Sequence, residues 1–452
     1  METNVNLNKN NNNPRGLMNF LIFTVLGVFV FFIPIIKTEE GSKVPLIVII
    51  DLIKTFLGEA LTLIVVLLVC LLCVTYVMAK FTTGFSTLKK YHSKDTYITG
   101  VLYVLAAIFS TMLLLESGPA FVLNSEVGGL AITLARSVLL TVIVAGSFVM
   151  FLTEFGFLEF VGILIEPVMR PLYRLPGRCA VDAVASFVCA PAVGVFITNK
   201  LYLNGDYTQR EASTITTNFS VCSLGFFAVL TSIAGINHLL PQVIISSLII
   251  TFVMGMIVVC IPPLSNKKNI YIDGREQNEE DRMSVKFDGD IFKKAVQAAI
   301  DKAGETNINA ISKGLWEVVT FAQKITAYVV SIAVIALAIA TYTPVFKWIG
   351  IPIAPVLSIL GLPNAAEIAP ATLVGITEIA LPVLLIAGQN IAEMSLFFIT
   401  VLSTVQIIFF TESANAMLEA DIPVNFVELV TIFLIRTVIA VPLVAIAAHI
   451  LF

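Results

Sequence analysis

The sequence contains few charged residues and very little histidine. Only 13% of its 452 residues are Asp, Glu, Lys or Arg, and the net charge of −4 leaves no basic surface of the kind that nucleic acids bind. The three histidines, His92, His238 and His449, stand far apart, so we expect no histidine-based metal or catalytic cluster. No Walker loop or zinc-ligand spacing occurs. We therefore expect neither an enzyme nor a bound cofactor.

Apolar residues dominate instead. They make up 58% of the chain, and the mean hydropathy is +0.94. Windows of about 20 apolar residues predict an all-α polytopic membrane protein with nine transmembrane helices. These spans cover residues 17–36, 60–79, 97–115, 130–151, 212–235, 239–261, 315–342, 393–417 and 425–452. Two further segments, 44–57 and 155–171, are interrupted by charges and are predicted to lie along the membrane surface.

The loops predict how the chain is divided and oriented. The Asn-rich residues 1–16 are typical of a disordered tail, residues 17–174 of scaffold spans and interfacial helices, and residues 262–314 of a cytoplasmic loop with an amphipathic helix. The loop after the second span carries Lys80, Lys89 and Lys90, which places it in the cytoplasm. Nine spans then put the C-terminus outside.

A carboxylate stands within the apolar run 370–389. Thr377 and Glu378 lie between Gly375 and Pro382. A charged residue in the middle of a span costs about 2.5–3.5 kcal/mol on insertion scales, and such residues commonly mark ion or substrate paths. Gly and Pro on either side predict a helix that breaks at the charge and exposes backbone polar groups.

The first half contains a matching broken segment. Residues 175–200 are interrupted by Pro191 and Gly194 and carry positive charge at both ends, which favours a hairpin that enters and leaves on one side. Residues 180–185 align without a gap with residues 365–370. The two segments predict two re-entrant helical hairpins in inverted repeats, residues 175–261 and 315–452, as in secondary transporters.

Nine polar residues in and after the two hairpins are the candidate substrate-binding residues. In the second repeat they are Thr377, Glu378, Glu412, Ser413 and Asn415, and in the first repeat Asn218, Ser220, Thr198 and Asn199. For the carboxylate at position 378, the alternative is a structural group bonded to exposed backbone amides. For the cluster 412–415, the alternative is the polar end of a span. Hydroxyls in membrane helices also often bond their own carbonyls.

Three further charged residues are given structural roles. Arg436 lies midway along the last span, and we predict an ion pair with Glu412 or Glu428. Asp182 and Glu367 each stand near the start of a hairpin helix, where a carboxylate can cap unpaired amides.

The run L-P-G-R-C-A-V-D-A-V-A-S-F from Leu175 to Phe187, with T-N-K-L-Y at residues 198–202 and Y-T-Q-R-E-A at residues 207–212, resembles the YjiH-like family of membrane proteins. These carry the nucleoside recognition (Gate) domain, which concentrative nucleoside transporters and the permease part of ferrous iron transporter B share more distantly. In concentrative nucleoside transporters a Gly-Gln-Thr-Glu motif in the first hairpin meets the substrate. Here Cys189-Ala-Pro-Ala192 stands there, and the Thr-Glu pair lies in the second hairpin.

This resemblance implies two Gate-like repeats and transport of a small polar, nucleoside-like solute by alternating access. Two carboxylates near one level of the membrane would repel unless a proton or a cation lies between them, so coupling to Na⁺ or H⁺ is expected. We expect an integral protein of the cytoplasmic (inner) membrane of a prokaryote, in contact with lipid and with further copies of itself or a membrane partner. The alternative is a non-transporting membrane component that acts with a partner protein.

Overall fold

The computed structural model describes residues 14–33, 35–38, 41–81, 86–93, 95–278, 289–306 and 308–452. Most of the predicted tail, residues 1–13, lies outside these ranges, while residues 14–16 already belong to the first helix. Proline is well tolerated there because the N–H groups in the first turn of a helix have no acceptor within the helix, so the N–H that proline lacks is not needed. Beside one hairpin of two three-residue strands, the described regular elements are helices, which confirms the all-α prediction.

The first half of the chain contains the scaffold helices and the first hairpin. Its elements are α1 (Pro14–Phe32), β1 (Ile36–Thr38), β2 (Gly41–Lys43), α2 (Pro45–Leu57), α3 (Ala60–Phe81), α4 (Ser86–Tyr91), α5 (Tyr97–Leu114), α6 (Ala120–Leu123), a π-helical turn (Ser125–Gly129), α7 (Leu130–Thr153), α8 (Phe157–Tyr173), α9 (Cys179–Val188), α10 (Pro191–Leu203), α11 (Gln209–Phe219), α12 (Leu224–Ala234), a 3₁₀ turn (Asn237–Leu239) and α13 (Leu240–Val258).

The second half begins with a 3₁₀ turn and a surface helix and ends with the second hairpin and two long elements. These elements are the turn Leu264–Asn266, α14 (Ile291–Glu305), α15 (Ile308–Tyr342), α16 (Val345–Gly350), α17 (Ala354–Ile359), α18 (Ala365–Ile368), α19 (Ala371–Val374), α20 (Leu381–Ile386), α21 (Glu393–Gln406), α22 (Ser413–Glu419) and α23 (Phe426–Leu451).

Eight helical segments in the described ranges are long and apolar enough to cross a membrane, so the chain is an integral membrane protein. One of them, Gln209–Ala234, is interrupted between α11 and α12. The ninth predicted span, residues 393–417, is interrupted in the same way. Its α21 has only 14 residues, and a non-helical stretch separates it from α22. The order of a hairpin followed by a broken helix therefore occurs twice.

Two apolar clusters form the core. The larger one joins the scaffold helices α3, α5, α7 and α15 to the first hairpin, and the smaller one joins α12, α13, α21 and α23 to the second hairpin. Large apolar side chains elsewhere on α1, α3 and α5 remain exposed, as expected of surfaces that face lipid. The two clusters meet where the hairpin tips and the broken helices converge, and this is where the candidate site lies.

Candidate substrate site between two hairpins and two broken helices

The first hairpin is held together across its two arms. α9 and α10 pack against each other, and a Cβ at Gly194 would lie 2.8 Å from the Ser186 Cβ, so only glycine allows this approach. The Thr198 hydroxyl on α10 donates to Oδ2 of Asp182 on α9 at 2.9 Å. The Tyr207 hydroxyl donates to the same oxygen at 3.1 Å. Asp182 thus links three parts of the first repeat, and the prediction that it caps α9 is wrong, since no capping bond forms there.

The first broken helix adjoins this hairpin. α11 ends at Phe219, and the chain is extended until α12 begins at Leu224. The Ser186 hydroxyl donates to the Val221 carbonyl at 2.9 Å, which gives one exposed backbone acceptor of the break a partner. Ser220 lies buried at the end of α11.

The tip of the second hairpin carries the predicted Thr-Glu pair. Between α19 and α20 the chain leaves the helix, and Oε2 of Glu378 accepts from the N–H groups of Ala380 at 2.6 Å and Leu381 at 2.8 Å. The carboxylate thereby satisfies amides at the start of α20, which is the structural alternative predicted for it. It also faces a cavity. The Thr377 hydroxyl donates to the Val374 carbonyl at 2.7 Å.

The second broken helix pairs with this tip through its backbone. The N–H groups of Phe410 and Thr411 donate to the carbonyls of Ile376 at 2.8 Å and Thr377 at 3.1 Å. Two non-helical turns therefore lie side by side, and each gives backbone groups of the other a hydrogen-bond partner. Ile407, just after α21, has φ of +65°, which is a strained conformation for a β-branched residue and costs about 1–3 kcal/mol.

A buried arginine joins the two breaks. Arg436 on α23 is fully buried, and its guanidinium donates to the carbonyls of Gln406 at 3.1 Å and Val405 at 2.6 Å, the last residues of α21. A third bond, of 2.7 Å, goes to Oδ1 of Asn218 near the end of α11. A cation at the C-terminus of a helix interacts favourably with its dipole and unpaired carbonyls.

The predicted ion pair of Arg436 is therefore wrong. Within the described residues its partners are two carbonyls and an amide oxygen, and Glu428 pairs instead with Lys267, whose Nζ lies 2.7 Å from a carboxylate oxygen. The reason is positional. The end of α21 reaches the middle of α23, where Arg436 lies, while Glu428 lies about two turns away, near the start of α23.

A cavity of about 180 Å³ lies where these elements meet. The carboxylates of Glu378 and Glu412 both face it, and Oε1 of Glu412 accepts from the N–H of Ala192 at the start of α10 at 3.2 Å. Each of these two carboxylates thus lies near the start of a helix, where the partial positive charge of the helix dipole favours a negative group. Neither of them has an ion-pair partner among the described residues; the Glu378 side chain is buried and that of Glu412 is half-buried.

Hydroxyl and thiol groups line the rest of the cavity. They come from the scaffold helix α7, from the first hairpin tip and from both breaks: Ser137, Thr141, Cys189, Cys222, Ser223 and Thr411. The Oγ1 of Thr411 is buried without a hydrogen-bond partner in the described structure. Such a surface can accept hydrogen bonds from the hydroxyl or amino groups of a solute, or it can hold a proton or a cation beside the carboxylates.

Of the nine predicted site residues, Glu378 and Glu412 line the cavity. The other seven are buried and do not line it: Thr377, Ser413, Asn415, Asn218, Ser220, Thr198 and Asn199. The Asn199 amide oxygen accepts from the N–H of Asp421 at 2.8 Å, and Ser413 bonds to the backbone of the break. The side chain of Asn415 donates to the Phe410 carbonyl, and its Oδ1 is buried without a partner in the described ranges.

The lining residues on α7 were not predicted from the sequence. Ser137 and Thr141 stand four residues apart within an apolar span, so they share one helical face, and that spacing is the signal that could have identified them. Cys189 and Cys222 lie in or beside apolar runs, where a cysteine usually behaves as a small hydrophobic residue and so carries no signal of a site. No cluster of three or more metal-binding side chains occurs in the described parts of the chain.

Two comparisons relate the chain to known sequences. The model of the nucleoside recognition (Gate) family matches residues 135–237, from α7 through the first hairpin to the end of the first broken helix. An uncharacterized protein of Alkalihalophilus pseudofirmus is 31% identical over 457 aligned residues, which cover 96% of this chain and 95% of that relative. No solved structure matches the chain.

Proposed function

We propose that this chain, which belongs to the nucleoside recognition (Gate) family of membrane proteins, is a secondary transporter of a small polar solute. The single observation that supports this most is the cavity enclosed by two hairpin tips and two broken helices, with Glu378 and Glu412 facing it. Broken helices in corresponding positions of two repeats commonly form the site of a transporter that works by alternating access.

The proposed solute is nucleoside-like, with hydroxyl or amino groups that donate to the carboxylates. A cavity of about 180 Å³ is smaller than the roughly 300–1,000 Å³ of pockets for drug-sized ligands. The conformation described here is therefore a contracted one, and a nucleoside needs the hairpins to move apart. We further propose coupling to Na⁺ or H⁺, because two carboxylates that face one cavity repel each other unless positive charge joins them. We also propose a location in the cytoplasmic membrane of a prokaryote.

A ligand screen on the purified full chain in lipid nanodiscs tests this function. Nucleosides, amino acids, dipeptides and metal ions are added one class at a time, and unfolding is followed by the reaction of the buried cysteines Cys179, Cys189 and Cys222 with a thiol dye. A compound that stabilises the protein is then tested for accumulation in proteoliposomes under a Na⁺ or proton gradient. We expect a nucleoside-like solute to do both. If no class stabilises the protein and no gradient drives uptake, the alternative of a partner-dependent, non-transporting component is favoured.

Two conservative variants test the carboxylates themselves. Glu378→Gln and Glu412→Gln each keep a side-chain oxygen for the existing backbone N–H bonds but remove the charge. A hydrogen bond to a charged group is worth about 1.5–3 kcal/mol, so we expect binding of the stabilising solute to weaken tenfold or more. The dependence of uptake on Na⁺ or pH should change as well.

The matched control is Glu393→Gln. This residue begins α21, the same helix that leads into the second break, but its side chain is exposed and pairs with His238 outside the cavity. We expect unchanged binding and uptake in this variant. Unchanged binding and unchanged ion dependence in both site variants would show that Glu378 and Glu412 have only the structural role.

A further inference from the structure

Four ionisable side chains meet in a buried cluster that is separate from the cavity. Asp95, in the connection before α5, lies with Oδ2 2.6 Å from Nδ1 of His92 and with Oδ1 3.0 Å from Nζ of Lys324 on α15. The same ammonium group lies 3.4 Å from a carboxylate oxygen of Glu419, the last residue of α22. All four side chains are at least 89% buried.

The charges of this cluster balance only if one more proton is present. With a neutral imidazole, Asp95 and Glu419 share the single ammonium of Lys324, which leaves a net charge of −1. An uncompensated charge in a buried cluster is strongly destabilising. A protonated His92 beside Asp95 brings the sum to zero. The position of that second cation is favourable, because its nitrogen is in direct contact with the carboxylate.

The hydrogen bonds of His92 indicate the same proton. Nδ1 faces a carboxylate oxygen, which can only accept, so Nδ1 carries a hydrogen. Nε2 lies 3.0 Å from Oγ1 of Thr75, and the single hydroxyl hydrogen of Thr75 is directed to the Leu72 carbonyl at 2.9 Å. Oγ1 is then an acceptor toward the ring, so Nε2 carries a hydrogen too. An imidazole with hydrogens on both nitrogens is the cationic form.

We propose that this cluster is a proton-binding site and that the bound proton resides on His92. The other titratable groups around it are tyrosines that come from four packed helices and an acidic residue that follows α22: Tyr76, Tyr91, Tyr103, Tyr328 and Asp421. The phenols are neutral at physiological pH. The charged groups around the proton are therefore the carboxylates of Asp95 and Glu419, the ammonium of Lys324 and, beside Glu419, the carboxylate of Asp421.

The position of Glu419 connects this site to the rest of the protein. α22 begins immediately after Glu412, and its other end is held by Lys324 of the scaffold helix α15. Lys324 in turn reaches α3 and α5 through Asp95, His92 and Tyr103. Loss of the proton leaves an excess negative charge at the point where the broken helix meets the scaffold. This inference does not depend on the identity of the solute or on transport.

Nitrogen NMR of histidine in the full chain, labelled with ¹⁵N and held in nanodiscs, tests the proposal directly. The chain has only three histidines, and His238→Gln and His449→Gln, both at exposed positions, assign the His92 signal by elimination even if a His92 variant does not fold. The spectrum is recorded at about pH 7.5, where a histidine with the ordinary pKa of about 6.5 is mostly neutral. We expect hydrogens on both nitrogens of His92. A neutral ring, with Nε2 accepting from Thr75, would overturn the proposal.

A charge variant provides the second arm. Glu419→Gln removes one negative charge, so the cluster becomes neutral with an uncharged imidazole, and we expect the His92 signal to shift to the neutral form at the same pH. Glu116→Gln is the control, because Glu116 is an exposed acidic residue in the loop after α5. The proposal is refuted if His92 remains cationic in Glu419→Gln, or if Glu116→Gln changes the protonation of His92 to the same extent.

Discussion

Replacing Arg436 with methionine should destabilise the protein more than any comparable change at its surface. Methionine keeps much of the side-chain volume but removes the donors to the carbonyls of Val405 and Gln406 and to the side chain of Asn218. A buried acceptor that loses its partner costs about 1–3 kcal/mol, and contacts at one side chain are not additive. Breaking a buried charged contact by removing one partner costs about 3–5 kcal/mol, which is the loss we expect here.

The measurement is unfolding in nanodiscs followed by thiol reactivity of the buried cysteines. Arg275→Met is the control at the surface, because the Arg275 side chain is 64% exposed and its Nε lies 3.9 Å from Asp273, whose side chain is 60% exposed. Exposed pairs contribute at most about 1 kcal/mol. An Asn218→Leu change made together with Arg436→Met should cost less than the sum of the two single changes, because it removes a buried acceptor together with its donor. Equal losses in Arg436→Met and Arg275→Met would refute the role of Arg436 as the link between the two breaks.

Two further predictions concern the first hairpin and the buried cluster around Asp95. Gly194→Ala brings a methyl group to 2.8 Å from a serine side chain of α9 and should cost about 1–3 kcal/mol, while Gly225→Ala, which meets no atom within 4 Å, should be neutral or stabilise α12 by about 0.5–1 kcal/mol. Equal effects would contradict the tight packing of the arms. Burial would raise the pKa of Asp95, but the hydrogen bond from His92 and the charge of Lys324 outweigh it and hold the pKa below its usual value. A carboxylate with a lowered pKa in the folded state contributes stability above about pH 4, and this contribution is lost as the pH falls through the lowered pKa. In unfolding scans from neutral to acidic pH, Asp95→Asn should therefore lose less stability than the native chain.

The parts of the fold that depend on composition could be predicted from the sequence. Long apolar runs specify transmembrane helices whatever their neighbours are, and eight of the nine predicted spans fall in helical segments long and apolar enough to cross a membrane, one of which, Gln209–Ala234, is interrupted between α11 and α12. The ninth differs because six residues after Gln406 give up helical hydrogen bonds in order to pair with the second hairpin tip. This exchange of helical hydrogen bonds for bonds to the hairpin depends on partners 34 residues away in the sequence, so no local sequence pattern predicts it.

The candidate site shows the same division. Glu378 and Glu412 stand out in the sequence because a carboxylate in an apolar run is rare and costly. Ser137 and Thr141 do not stand out, because a hydroxyl in a membrane helix can always bond its own backbone. The partners of Arg436 could not be predicted either. Its partners include two backbone carbonyls, and these carry no sequence signal.

The pairing of the second hairpin tip with the second break determines where the assembly can separate. Two backbone bonds, from Phe410 and Thr411 to Ile376 and Thr377, join these stretches, and if they part, four buried peptide groups have to find new partners. Between the first hairpin tip and the same break, the N–H of Ala192 reaches only the side chain of Glu412, at 3.2 Å. By these hydrogen bonds, the first hairpin tip is joined to this break more weakly than the second hairpin tip is. Glu412 is therefore both part of the cavity wall and the side chain that joins the first hairpin tip to the second break.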